Sequence, residues 1–107
     1  MPYDKGLAQR LREALTGADG LTEKAMFGGL AFLLRGNMCC GVHQDEVVVR
    51  VAPERQEELL ARAGARPFEM GGRTMKGWLL VSGGVDENAL HNWVKESVEF
   101  AGSLPAK

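Results

Sequence analysis

The sequence predicts the α+β class: an antiparallel sheet of about five strands with helices on one face, in the order α-β-β-β-α-β-β-α. Three observations carry that expectation. Apolar residues recur at helical spacing near both ends of the chain, a central stretch alternates with period two between short turn signals, and a second hairpin signal comes after a short helical segment.

Each element has its own signature. From Asp4, placed as an N-cap, Leu7, Leu11 and Leu15 recur at helical spacing with Ala8 and Ala14 beside them, and Gly17 and Gly20 end the run. From Lys24 to Val51 the pattern changes. Phe27, Gly28 and Gly29 lead into Leu30 to Leu34, then a turn at Arg35, Gly36 and Asn37, then Met38 to Val42. A second turn at Gln44 and Asp45 precedes Val47, Val49 and Val51, which alternate with Glu46, Val48 and Arg50 as in a strand with one buried face. Pro53 suits the first turn of a short helix through Leu59, Leu60 and Ala63, with Glu58 and Arg62 spaced to pair and Gly64 as the stop. Arg66 to Glu69 and Lys76 to Ser82 then flank a turn at Gly71 and Gly72. Asp86 caps the last helix, Val85 and Leu90 form a hydrophobic staple, and Leu90, Trp93, Val94, Val98 and Ala101 make the buried stripe before Gly102 and Pro105 end it.

With 107 residues and no repeat, low-complexity tract or linker, the expectation is a single domain over 1–107. Thirteen basic against 14 acidic residues leave a net charge of -1, so no bulk field draws the chain to polyphosphate or an anionic membrane. The N-terminal stretch mixes Asp4, Lys5, Arg10, Arg12 and Glu13 among its apolar residues, unlike a secretory signal, and no apolar run approaches a membrane span. The two cysteines are neighbours, and adjacent Cα atoms about 3.8 Å apart fit a disulfide poorly. Reduced thiols in a cytoplasm are the expectation.

The candidate chemistry is sparse. Cys39, Cys40 and His43 are the residue types zinc prefers, but on a regular strand Cys39 and His43 lie about 13 Å apart while Cys40 points the other way, so core packing is expected and no metal. A nucleophilic triad has only His43 and His91 to draw on; no G-x-S-x-G elbow surrounds a serine, and His91 one turn after Glu87 reads as a surface pair. Gly71 to Gly77 does not match a phosphate-binding loop. Glu54, Glu57 and Glu58 read as a solubilising helix surface. Arg66, Arg73 and Lys76, near Phe68 and Trp78, form the one pattern that points to contact, as a basic hairpin with aromatics.

Three stretches of the chain resemble the N-terminal domain of the TfoX/Sxy family of competence regulators. They are Met26-Phe27-Gly28-Gly29-Leu30-Ala31-Phe32 with Gly36 and Gly41-Val42, then Ala65-Arg66-Pro67-Phe68 with Gly72-Arg73 and Met75-Lys76-Gly77-Trp78, then Trp93 to Phe100 with Ser103-Leu104-Pro105. The resemblance implies an α+β fold with an antiparallel sheet, a role in regulating DNA-uptake genes through other proteins, and no enzymatic activity. It supplies no catalytic residues. Full-length regulators of that family also have a helical C-terminal domain, and the expectation here is a single-domain member lacking it. The leading reading is a non-enzymatic interaction module, with a protein partner or a homodimer, no cofactor, and Arg66, Arg73 and Lys76 as contacts. Two alternatives stay open: a nucleic-acid-binding protein using the basic hairpin, and a small metal- or ligand-binding protein.

Overall fold

The two long helices begin where the sequence places a capping aspartate. In a computed structural model of the protein, which describes residues 3–26, 28–62, 64–70 and 72–105, Asp4 Oδ1 accepts from the Leu7 N–H at 3.1 Å and opens α1, Lys5–Ala14. Asp86 Oδ1 accepts from the Ala89 N–H at 2.8 Å and opens α3, Glu87–Gly102. Each bond satisfies one of the N–H groups a helix start leaves unpaired. Phe27, Ala63 and Gly71, which the sequence reading placed in a strand entry, a helix stripe and a turn, lie outside the described residues.

Between these helices run β1 (Leu21–Met26), β2 (Gly29–Leu34), β3 (Asn37–His43), β4 (Glu46–Arg50), a 3-10 turn (Pro53–Arg55), α2 (Gln56–Leu60), β5 (Ala65–Met70) and β6 (Arg73–Ser82). They form one antiparallel sheet in the order β1-β2-β3-β4-β6-β5. The α+β class and the antiparallel sheet are as the sequence led us to expect, with one strand more. Leu21-Thr-Glu-Lys-Ala-Met is made largely of residues that favour helix and shows no apolar alternation, yet it pairs with β2 from Leu21↔Leu34 to Met26↔Gly29. Pairing with a buried neighbour overrides local preference here.

Both sheet edges are blunted against further pairing. The outer strand β1 carries exposed Glu23 and Lys24, and the outer strand β5 carries Pro67, which has no N–H to offer.

The main core lies on the helix side of the sheet. Leu30, Phe32 and Leu34, Val47 and Val49, and Leu79 and Val81 meet Leu7 and Leu11 of α1, Leu59 of α2, and Leu90 and Trp93 of α3. The opposite face holds a smaller cluster of strand residues alone, Val48, Phe68 and Leu80 backed by Met38 and Trp78. Val48, expected on a solvent face, is therefore buried like its neighbours.

The sheet is irregular in two places. Phe32 pairs with Cys40 but Leu33 pairs with Met38, so Cys39 is an extra residue in β3. This bulge breaks the alternation that the sequence reading applied to Cys39, Cys40 and His43: both thiols end up buried in the same core cluster. The second irregularity is in the last hairpin, where the short step along β5 from Pro67 to Glu69 is matched on β6 by the longer stretch from Leu79 to Thr74. Gly77 sits in the surplus with φ +86, a value that favours glycine. Its carbonyl accepts from the Val51 N–H at 2.9 Å, and its N–H donates to Gln56 Oε1 at 2.6 Å.

Candidate functional site

Beyond Gly77 the β5–β6 hairpin stands away from the body as an arm. Arg73, Thr74, Met75 and Lys76 are all exposed, although successive strand residues point to opposite faces, so the arm has solvent on both sides. Met75, at 37% relative exposure, is the large apolar side chain left open among the described residues. Thr74 and Lys76 face a groove of about 620 Å³ between the arm and the Pro53–Leu60 segment. Its apolar lining is Pro53, Leu60 and Pro67, and Glu54 and Glu57 bring carboxylates to it.

Ion pairs hold the far wall of this groove. Arg55 bonds both Glu58 and Glu96, and Arg62 reaches Glu96 at 3.3 Å while its guanidinium lies 5.2 Å from the Trp93 ring centroid. This corrects the expected Glu58–Arg62 pair: Glu58 turns back to Arg55, and Arg62, two residues past the end of α2, reaches across to α3. The hydrogen bonds that Arg55 donates to Glu58 and Glu96 hold its guanidinium above its ordinary pKa, and Arg55 in turn holds the Glu58 carboxyl below the usual value. Near the base of the arm, the Arg50 guanidinium lies between Trp78 and Phe100, 5.2 and 5.4 Å from their centroids. That stack joins the end of β4 to β6 and to the last turn of α3.

The three basic residues singled out in the sequence do not converge. Arg66 lies on β5 opposite Leu80, away from the helices, and its guanidinium makes a two-pronged ion pair with Glu46 of β4. Arg73 is level with Met70, four residues further along β5, or about 13 Å at the usual strand rise. Lys76 lines the groove with Thr74, while Arg73 and Met75 hold the alternate positions on the reverse face of the arm. Arg66 thus belongs to the sheet surface; Arg73 and Lys76 belong to the arm.

Three features of the arm and groove escaped the sequence reading. Glu54 and Glu57 looked like solubilising residues because nothing local shows that they face a strand from the other end of the hairpin. Gln56 gave no signal of its bond to Gly77. Met75, an apolar residue flanked by Thr74 and Lys76 close to the hairpin turn, was the one available clue to an exposed apolar contact.

The groups that invited catalytic or metal readings are dispersed. Among the described residues no three His, Cys, Asp or Glu side chains gather closely enough to hold a metal ion. Cys39 and Cys40 are fully buried, and the hydrogen bond between the two thiols, reinforced by burial, pushes the Cys40 thiol well above its ordinary pKa. That is the reverse of what activates a nucleophilic cysteine. His91 lies on the exposed side of α3 with Nε2 3.8 Å from Glu87 Oε2, as the spacing predicted. No helix among the described residues is long and apolar enough to cross a membrane.

Comparison with known proteins bears on the whole assembly. The family model described as the TfoX N-terminal domain matches residues 13–101, from the end of α1 through nearly all of α3, and so includes the arm and both walls of its groove. No curated protein and no solved structure matches the chain. A match over most of the 107 residues, on a mixed fold with an antiparallel sheet, settles the family: the chain belongs to the TfoX N-terminal domain family.

Proposed function

We propose that the chain is a cytoplasmic interaction module, acting as one unit over residues 1–107, whose β5–β6 arm contacts another protein. Its family is a non-enzymatic regulatory and interaction module. The setting proposed for this chain is the one the family implies, control of DNA-uptake genes through other proteins. The observation that carries the reading is the run Arg73 to Lys76, four successive strand residues open to solvent on both faces with Met75 among them. An open apolar residue between polar and basic neighbours is the composition of a contact surface. Arg73 and Lys76 are its charged contacts, and Arg66, on the adjoining sheet surface, extends it.

Nucleic acid is the weaker reading. Arg66 is already paired with Glu46, Arg73 and Lys76 take alternate faces of the arm, and the chain carries a net charge of -1. A backbone-tracking site needs several free cations on one face.

The test is affinity capture from native lysate with three baits: the wild type, an arm variant carrying Arg73→Glu, Met75→Asp and Lys76→Glu, and a Lys95→Glu control on the exposed side of α3. Wild type and control should recover a shared protein that the arm variant loses. Equal recovery by all three, with the arm variant folded by circular dichroism, removes the arm from the account. A labelled single strand and duplex, titrated at low salt, should show no salt-sensitive binding.

A further inference from the structure

We infer that the groove beside the arm takes the arm of a second copy of this chain, so that two copies close on each other by reciprocal arm-in-groove contact. This inference rests on the arm being a contact surface and names what fits the groove. The arm has two chemically distinct faces. Thr74 and Lys76 face the groove, and Glu69, directly opposite Thr74, shares that face. Arg73 and Met75 alternate to the reverse face.

The groove asks for the chemistry the reverse face offers. Its lining is apolar at Pro53, Leu60 and Pro67, and it is acidic at Glu54 and Glu57, neither of which has an ion-pair partner among the described residues. Neighbouring Glu58 is taken up by Arg55, which leaves the first two carboxylates open to an incoming cation. Glu54, Glu57 and Lys76 together sum to one negative charge, Glu69 on the same face of the arm adds a second, and Arg73 from a second copy offsets one of the two. Met75 of the same arm would cover the apolar lining. Opposite charges arranged across a contact in this way fix its register and suppress wrong partners.

Adjacency makes the contact close on itself. The groove lies at the flank of the arm it would receive from the partner, so one two-fold rotation places each arm against the other's groove. Were the groove remote from the arm, the same complementarity would also run head to tail, into rings or open chains. The alternative route to self-association, pairing of sheet edges, is blunted on both sides by Lys24 and Pro67. Gly77 and the bond from its N–H to Gln56 Oε1 fix the angle between arm and groove wall, so the receiving site stands ready before a second copy arrives.

The experiment is a charge exchange read by sedimentation equilibrium. The wild type should pass from monomer to dimer across a concentration series. Arg73→Glu alone, and Glu54→Lys with Glu57→Lys together, should each raise the dimer dissociation constant about tenfold or more, since like charges then meet across the contact. All three positions are exposed, so these variants should keep the wild-type circular dichroism and melting temperature. Mixing the two variants is the decisive arm: each arm then meets a groove of opposite charge, and a mixed dimer should form at wild-type affinity while neither variant dimerises alone. A wild type that stays monomeric throughout, a dimer indifferent to both changes, or a mixture that does not recover would each overturn the inference. None of these outcomes touches the capture result: a chain that recovers a protein through its arm but never self-associates loses this inference alone.

Discussion

Gly77→Ala is the sharpest single perturbation, because one atom is asked to enter a place that conformation and neighbours both close. The residue has φ +86, and an added Cβ would lie 3.2 Å from the Val51 carbonyl oxygen and 3.3 Å from Pro53 Cγ. A left-handed conformation costs a non-glycine residue about 1–2 kcal/mol. Crowding against a backbone oxygen and a proline ring adds roughly 1–2 kcal/mol, at the lower end of typical overpacking penalties. The sum is on the order of 2–4 kcal/mol, which for a chain of this size lowers the melting temperature by about 10–20 °C. Gly72→Ala is the matched control: its φ is +79, but an added Cβ meets nothing within 4 Å, so only the conformational cost of about 1–2 kcal/mol applies. Urea denaturation of both variants, followed by Trp78 and Trp93 fluorescence, gives the midpoints. Gly77→Ala should lose clearly more than Gly72→Ala at an unchanged slope. Equal losses, or a Gly77→Ala protein within about 0.5 kcal/mol of wild type, would refute the reasoning that this glycine sets the junction between arm and body.

Three further outcomes are expected from particular side chains. Ser97 is buried on α3 with its hydroxyl lacking a hydrogen-bond partner among the described residues, so Ser97→Ala should leave stability unchanged or raise it by up to about 1 kcal/mol in chemical denaturation. The thiols of Cys39 and Cys40 should react with a disulfide-exchange reagent only as fast as the protein opens, and should become fully reactive in denaturant; rapid modification of the native protein would contradict their burial and the raised Cys40 pKa. Arg12 holds the Glu23 carboxyl below its ordinary pKa through a hydrogen bond first and charge second. A carboxyl depressed in the folded state contributes stability that is present above its unfolded pKa and lost as pH falls through the lower folded value. An acid titration of stability in Arg12→Ala should therefore be shallower than in wild type below the ordinary carboxylate range, and the two curves should converge at the acid end.

What could be read in the sequence was whatever local chemistry decides. Asp4 and Asp86 announced their helices because a cap acts within three residues, and the Val47–Val49–Val51 alternation announced its strand because a half-buried face has period two. β1 could not be read, since Thr22 to Ala25 are exposed on an edge and only the pairing with β2 makes them a strand. The common burial of Cys39 and Cys40 depends on one surplus residue in the register with β2, which no periodicity reveals. The site was half visible for the same reason. Arg73 and Lys76 stood out as a basic hairpin, but the groove is built from residues 53–60 and from Pro67, Thr74 and Lys76, held together by the offset at Gly77, and Arg66 proved to have its partner, Glu46, on a strand 20 residues earlier.

Contact through the arm is the claim on which the proposed function turns. Hydrogen–deuterium exchange of the chain, free and in the complex recovered by capture, measures this directly at every backbone amide. Slowed exchange concentrated in residues 72–77 and in the 54–60 wall, with α1 and the β1–β2 hairpin unchanged, is the predicted result. Protection that falls on α1 or on the outer edge of β1 while the arm exchanges as freely as in the isolated protein would contradict it.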